Sequence, residues 1–108
     1  MNEKYLEVMN NIAKSLITHG VPFYYQPCFD GMQFRFPWAG DADIAIHSGT
    51  YGNEYNRVES YQFPWDFDDV SVLSADEFIS NILDLWEKQK EFYSQWEPYT
   101  ELTIEKEN

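Results

Sequence analysis

His47 is the side chain best suited to general acid–base work in this sequence, since an imidazole ordinarily changes charge near neutral pH and Asp41 and Asp43, near it in the sequence, are carboxylates of the kind that orient such a base. A small enzyme or ligand binder centred on His47 is therefore one reading. The opposing reading is structural. In Ile44-Ala45-Ile46-His47 the histidine shares the face of Ala45 at a strand end, where a backbone carbonyl is its usual partner, and no nucleophile accompanies it. The single cysteine, Cys28, has no base among its neighbours and is expected to be a quiet thiol; one cysteine makes neither an internal disulfide nor a structural zinc site. Asp66, Asp68 and Asp69 resemble a fragment of an oxygen-ligand cation loop but lack its glycine turn and distal bidentate glutamate, and Asp41 with Asp43 is a weaker version of the same pattern. Gly49-Thr50-Tyr51-Gly52 has no basic residue and precedes a strand, so it does not read as a phosphate cradle. No enzymatic activity, metal or cofactor is expected.

What remains is surface recognition. The 108 residues carry a formal net charge of −12, which argues against binding nucleic acid or anionic lipid through phosphate neutralisation and makes a basic protein surface the natural complement. The charge is local. Residues 1–40 are neutral, whereas residues 41–87 hold eleven acids against Arg57 alone, a net of −10. Aromatics make up 19% of the chain, and Trp38, Tyr51, Tyr55, Tyr61 and Trp65 exceed what loops and a polar sheet face require, so some of them are expected at the surface as anchors inside an acidic rim. No apolar run approaches the roughly 18 residues of a membrane span, and Glu3 and Glu7 lie in an amphipathic N-terminal segment rather than a secretory signal. A cytoplasmic location is expected.

These residues need a frame, and the hydrophobic spacing supplies one. Tyr5, Leu6, Met9, Ile12, Ala13, Leu16 and Ile17 recur at three- and four-residue steps, predicting a helix over 1–19 closed by Gly20 and Pro22. Asp30-Gly31 between two aromatic-rich runs predicts a type I′ hairpin with Phe29 opposite Met32 and Cys28 opposite Gln33. That pairing puts Phe23, Tyr25, Phe29, Met32, Phe34 and Phe36 on a core face, and Pro27 argues for an edge strand. Residues 42–47 and 57–63 complete a meander over 22–63. Val70-Ser71-Val72 is short and extended, Ser74-Ala75-Asp76-Glu77 is a capping box with a Leu73/Phe78 staple, and a second helix spans 74–96. The tail over 97–108 is expected to be a short strand or frayed. The expected fold is one α+β domain, a four-stranded antiparallel sheet with an N-terminal and a C-terminal helix packed on one face.

Asp43-Ile44-Ala45-Ile46-His47-Ser48-Gly49-Thr50-Tyr51-Gly52, then Val58-Glu59 and the capped Leu73-Ser74-Ala75-Asp76-Glu77-Phe78 start, resembles a group of small uncharacterised acidic proteins of Gram-positive phages and prophages, over roughly a third of the chain. In that group Ser tends to stand where this chain has Thr50. The resemblance implies a phage or mobile-element accessory protein and assigns no catalytic residue. By analogy with anti-CRISPR and anti-restriction inhibitors that imitate nucleic acid in charge, the expected function is non-enzymatic: occupation of a basic nucleic-acid-binding surface, such as that of a nuclease, on a host defence protein. The residues expected to touch that partner are Asp41, Asp43, Tyr51, Glu54, Glu59, Trp65, Asp66, Asp68 and Asp69. The alternative is a structural or regulatory phage protein that self-associates, as a homodimer, through its surplus aromatics.

Overall fold

A computed structural model describes residues 2–61 and 70–92. Over them the order is helix α1 (Glu3–Thr18), strands β1 (Tyr24–Cys28), β2 (Gly31–Phe36), β3 (Ala42–Ile46), β4 (Val58–Tyr61) and β5 (Val70–Leu73), then helix α2 (Ala75–Gln89). The strands form one antiparallel sheet in chain order, β1-β2-β3-β4-β5. The fold is α+β, with five strands where the sequence predicts four. The added strand is the extended stretch before the capping box, which pairs along β4 from Val58 opposite Leu73 to Tyr61 opposite Val70. Four residues are too few to announce a strand by alternation, and the partner that completes β5 lies beyond an eight-residue connection, outside the reach of local patterning.

Both helices begin, and α1 also ends, where capping chemistry dictates. The Asn2 side chain accepts the Lys4 N–H at 2.9 Å at the start of α1. At its end Gly20 adopts a left-handed φ of 69°, and Gly20 and Val21 donate to the carbonyls of Ile17 and Leu16. This doubly bonded closure folds Val21 back into the core. At the start of α2, Ser74 Oγ accepts the Glu77 N–H and Glu77 Oε1 accepts the Ser74 N–H, both at 3.1 Å. The regular helix closes at Gln89, short of the expected 96. Glu87-Lys88-Gln89-Lys90-Glu91 offers no apolar side to pack, and a helix end without tertiary contact has little to hold it. Residues 93–108, and with them the expected tail, lie outside the described residues.

The hairpin differs from expectation by one residue at the turn. Cys28 stands opposite Gly31, Pro27 opposite Met32 and Tyr25 opposite Phe34, so the two-residue loop is Phe29-Asp30. The left-handed backbone falls on Phe29, with φ 54°. Gly31 serves another purpose, since a Cβ there would lie 1.7 Å from the Ile46 carbonyl oxygen of β3. The glycine lets β3 approach and leaves turn formation to its neighbours. Moving the turn by one position changes each pairing by two, which preserves the alternation of faces. Met32, Phe34 and Phe36 are buried as expected, Tyr25 is half-buried, and Phe29, expected in the core, is 86% exposed in the loop. β1 is an edge strand, as Pro27 requires.

The core lies between one face of the sheet and the helices. Phe34, Phe36, Ile44, Ile46 and Val58 from the sheet join Met9, Ile12 and Leu16 from α1 and Phe78, Ile82 and Trp86 from α2. Phe36 meets Phe78 with ring centroids 5.5 Å apart. Trp38, grouped with the surplus aromatics in the sequence, is buried: its Nε1–H donates to the Pro22 carbonyl at 2.7 Å and its ring meets Trp86 edge-on at 4.8 Å. A tryptophan whose N–H finds a carbonyl can be buried without a stranded donor.

Candidate functional site

The strand register writes the composition of the sheet's other face. One row runs Tyr24, Arg35, Asp43, Tyr61, Val70, and the next runs Gln26, Gln33, Ala45, Glu59, Val72. These side chains are half-buried or exposed, in contrast to the core rows beside them. Asp43 and Glu59 are diagonal neighbours on adjacent strands of this face.

Neutral donors engage both carboxylates. Gln33 Nε2 donates to Asp43 Oδ2 at 3.2 Å, and Gln33 in turn accepts from Gln26 Nε2 at 2.5 Å, a polar chain across three strands. The Tyr51 N–H donates to Glu59 Oε2 at 2.7 Å. Burial, opposed by the Gln33 hydrogen bond and the Arg35 charge and reinforced by Glu59 and Asp41, pushes the Asp43 carboxyl above the ordinary aspartate range. Asp41, at a left-handed φ of 63°, takes the Arg35 guanidinium at 2.9 Å. The other ion pairs of the described residues are Arg57 with Glu77, Lys88 with Asp84 and Lys90 with Glu87.

The connection from β3 to β4 is closely tied. Thr50 Oγ1 donates to the His47 carbonyl at 2.9 Å, Asn53 Nδ2 donates to the Thr50 carbonyl, and the Tyr5 hydroxyl of α1 donates to Asn53 Oδ1 at 3.0 Å. Gly52 takes φ 83°, and a Cβ there would meet Val72 Cγ1 at 2.4 Å, so the loop curls against the open face at its β5 side. This scaffold leaves Tyr51 and Tyr55 74% and 76% exposed.

His47 is not positioned for catalysis by Asp41 or Asp43, which lie toward the opposite end of β3, about 13 Å away for Asp43 at the usual strand rise. Its Nδ1 accepts the Gly49 N–H at 3.0 Å, where a carbonyl partner is expected from sequence, and its ring packs on Phe29 with centroids 4.9 Å apart. Cys28 is half-buried and faces Gly31 where Gln33 is expected. Among the described residues no three His, Cys, Asp or Glu side chains are grouped to hold a metal ion. Two surface depressions of about 260 and 320 Å³ flank α1; neither is lined by His47 or Cys28.

Of the residues expected to touch a partner, Asp43 and Glu59 therefore share the open sheet face, Asp41 stands in the turn before β3 and reaches that face through its pair with Arg35, and Tyr51 and Glu54 stand on the end loop, joined to it through the Tyr51 to Glu59 bond. Trp65, Asp66, Asp68 and Asp69 lie outside the described residues. Phe29 is an exposed aromatic that the sequence pattern places in the core; the signal was a bulky residue immediately before Asp-Gly, where a one-residue shift of the turn exposes it. No helix among the described residues is long and apolar enough to cross a membrane. Comparison with protein-family models, with curated proteins and with solved structures gives no match.

Proposed function

We propose that this protein is a non-enzymatic interaction protein whose acidic surface occupies the basic, nucleic-acid-binding surface of another protein, in the manner of a phage or mobile-element inhibitor of host defence. The supporting observation is the state of Asp43 and Glu59. They are diagonal neighbours on the open face, hydrogen-bonded by Gln33 and by the Tyr51 N–H, and neither joins an ion pair among the described residues. Neutral donors fix carboxylates in place without cancelling their charge, which is what a surface imitating phosphates needs for steered association.

The test is capture of host proteins on the immobilised chain at low and at high salt, repeated with Asp43→Asn/Glu59→Gln and with Asp66, Asp68 and Asp69 reversed to Lys. Nucleic-acid-binding proteins should be retained at low salt, released by salt or by added DNA, and captured more slowly by both variants, because exposed charges act mainly on association and are screened over about 8 to 10 Å. Capture that is flat in salt and indifferent to both variants would discard this reading.

A second reading, a homodimer, draws on β5. Among the described residues it is an edge of the sheet, it contains neither proline nor charge, and Val70 and Val72 are exposed on it. Salt separates the two readings. Two copies of so acidic a chain repel, so self-association through β5 strengthens with ionic strength, whereas a complex with a basic partner weakens.

A further inference from the structure

Phe29 is held in the left-handed backbone region, φ 54°, a conformation bulky residues rarely adopt, and its side chain is 86% exposed. Either feature alone disfavours phenylalanine; a glycine or asparagine would remove both. The turn that carries it is nevertheless tied down. The Asp30 carbonyl accepts the Asn2 N–H at 2.8 Å, and Asp30 Oδ1 accepts both the N–H and the hydroxyl of Ser48, at 2.9 and 3.1 Å. The Phe29 ring rests on His47, the first residue of the connection that presents Tyr51 and Tyr55. Three exposed rings thus occupy one end of the sheet on backbone immobilised in advance, which lowers the ordering cost of binding.

Carboxylates accompany the rings. Asp30 follows Phe29, Glu54 lies between the two tyrosines on the 3-10 turn Asn53–Tyr55, and Glu59 holds the Tyr51 N–H. Among the described residues the cations near this end are Lys4, at the start of α1, and Arg57, which is engaged by Glu77 at 3.1 Å. We propose that Phe29, Tyr51 and Tyr55, together with Glu54 and Glu59, receive arginine side chains of the basic partner. This rests on the acidic-surface reading above and names the group that is recognised. A guanidinium stacks flat on an aromatic face and forks onto a carboxylate; a lysine ammonium is more strongly hydrated and acts as a point charge. A purely apolar occupant would desolvate the nearby carboxylates with nothing to pair them.

The experiment is a titration of the purified chain with two synthetic peptides of equal length and charge, one built on arginine and glycine and the other on lysine and glycine, at low salt and at several times physiological ionic strength. Wild type should bind the arginine peptide about tenfold more tightly, with shifts of the Tyr51 and Tyr55 ring resonances. Phe29→Ser/Tyr51→Ser/Tyr55→Ser, whose changes fall on exposed side chains and whose folding is checked by circular dichroism, should lose that preference and keep salt-sensitive binding of both peptides. The single variant Phe29→Asn, compatible with the left-handed backbone, should lose part of it. Equal affinities in wild type, or a preference that survives in the triple variant, overturn the arginine assignment while the acidic-surface reading stands. Failure of both peptides to bind wild type at low salt overturns both.

Discussion

Asp30 and Ser48, eighteen residues apart, are joined by two hydrogen bonds to one carboxylate oxygen, the Ser48 N–H at 2.9 Å and its hydroxyl at 3.1 Å. The contact fastens the β1–β2 turn to the β3–β4 loop and so couples the placement of Phe29 to that of Tyr51. Asp30→Ala should lower the melting temperature and increase amide exchange at Ser48, Gly49 and Thr50, while Asp30→Asn, which retains an acceptor, should lose less. Unchanged exchange in the loop would separate the two segments.

Two glycines make a discriminating pair. At Gly31 a Cβ collides with the Ile46 carbonyl, whereas at Gly40, φ 68°, a Cβ meets nothing within 4 Å. Gly40→Ala should cost about 1–2 kcal/mol, the strain of a left-handed alanine. Gly31→Ala should cost about 3 kcal/mol or more because backbone, which cannot swing aside, must move. Denaturant unfolding of the two variants checks the order; a type I′ turn at Asp30-Gly31 would give Gly31 no such excess.

Phe34 and Phe29 sit in one hairpin with opposite fates. Phe34 is buried against Phe23, centroids 4.9 Å apart, and Phe34→Ala should cost about 3–5 kcal/mol through lost burial and the cavity left behind. Phe29→Asn should instead stabilise by about 0.5–1 kcal/mol by relieving the left-handed phenylalanine. If partner affinity falls in the same variant, the residue is retained for binding at the expense of stability.

The acid limb of the stability curve should contain opposing contributions. The N–H of Ser48 holds Asp30, and the N–H of Ser74 holds Glu77, below the ordinary carboxylate range. Their stabilisation is present above the unfolded-state value and is lost as pH falls through the lowered folded-state value. Asp43 is raised by burial, so the folded state binds its proton more readily, and its ionisation weakens the fold as pH rises through the carboxylate range. Asp43→Asn should therefore melt higher than wild type at neutral pH, the two curves converging as pH falls into the acid range. Parallel curves would remove the burial effect at Asp43.

Features set within a few residues were legible in the sequence. The extents of α1, its closure at Gly20, the reciprocal caps of Ser74 and Glu77, the edge position of Pro27 and the burial of alternate residues in β2 all depend on backbone groups or side chains one or two turns away, and local spacing suffices for them. The acids of residues 41–87 were equally plain as a charge excess. Their sorting was not. Asp43 and Glu59 became neighbours only through the register of β3 on β4, and β5 became a strand only by pairing with β4. Gly31 lies in β2 and outside the turn, where the Ile46 carbonyl, fifteen residues further on, occupies the space of a Cβ. Trp38 went inside because the Pro22 carbonyl and the Trp86 ring were waiting for it. In each case the deciding partner is remote in the chain, and a steric or hydrogen-bonding demand between remote segments leaves no periodic trace in the residues that answer it.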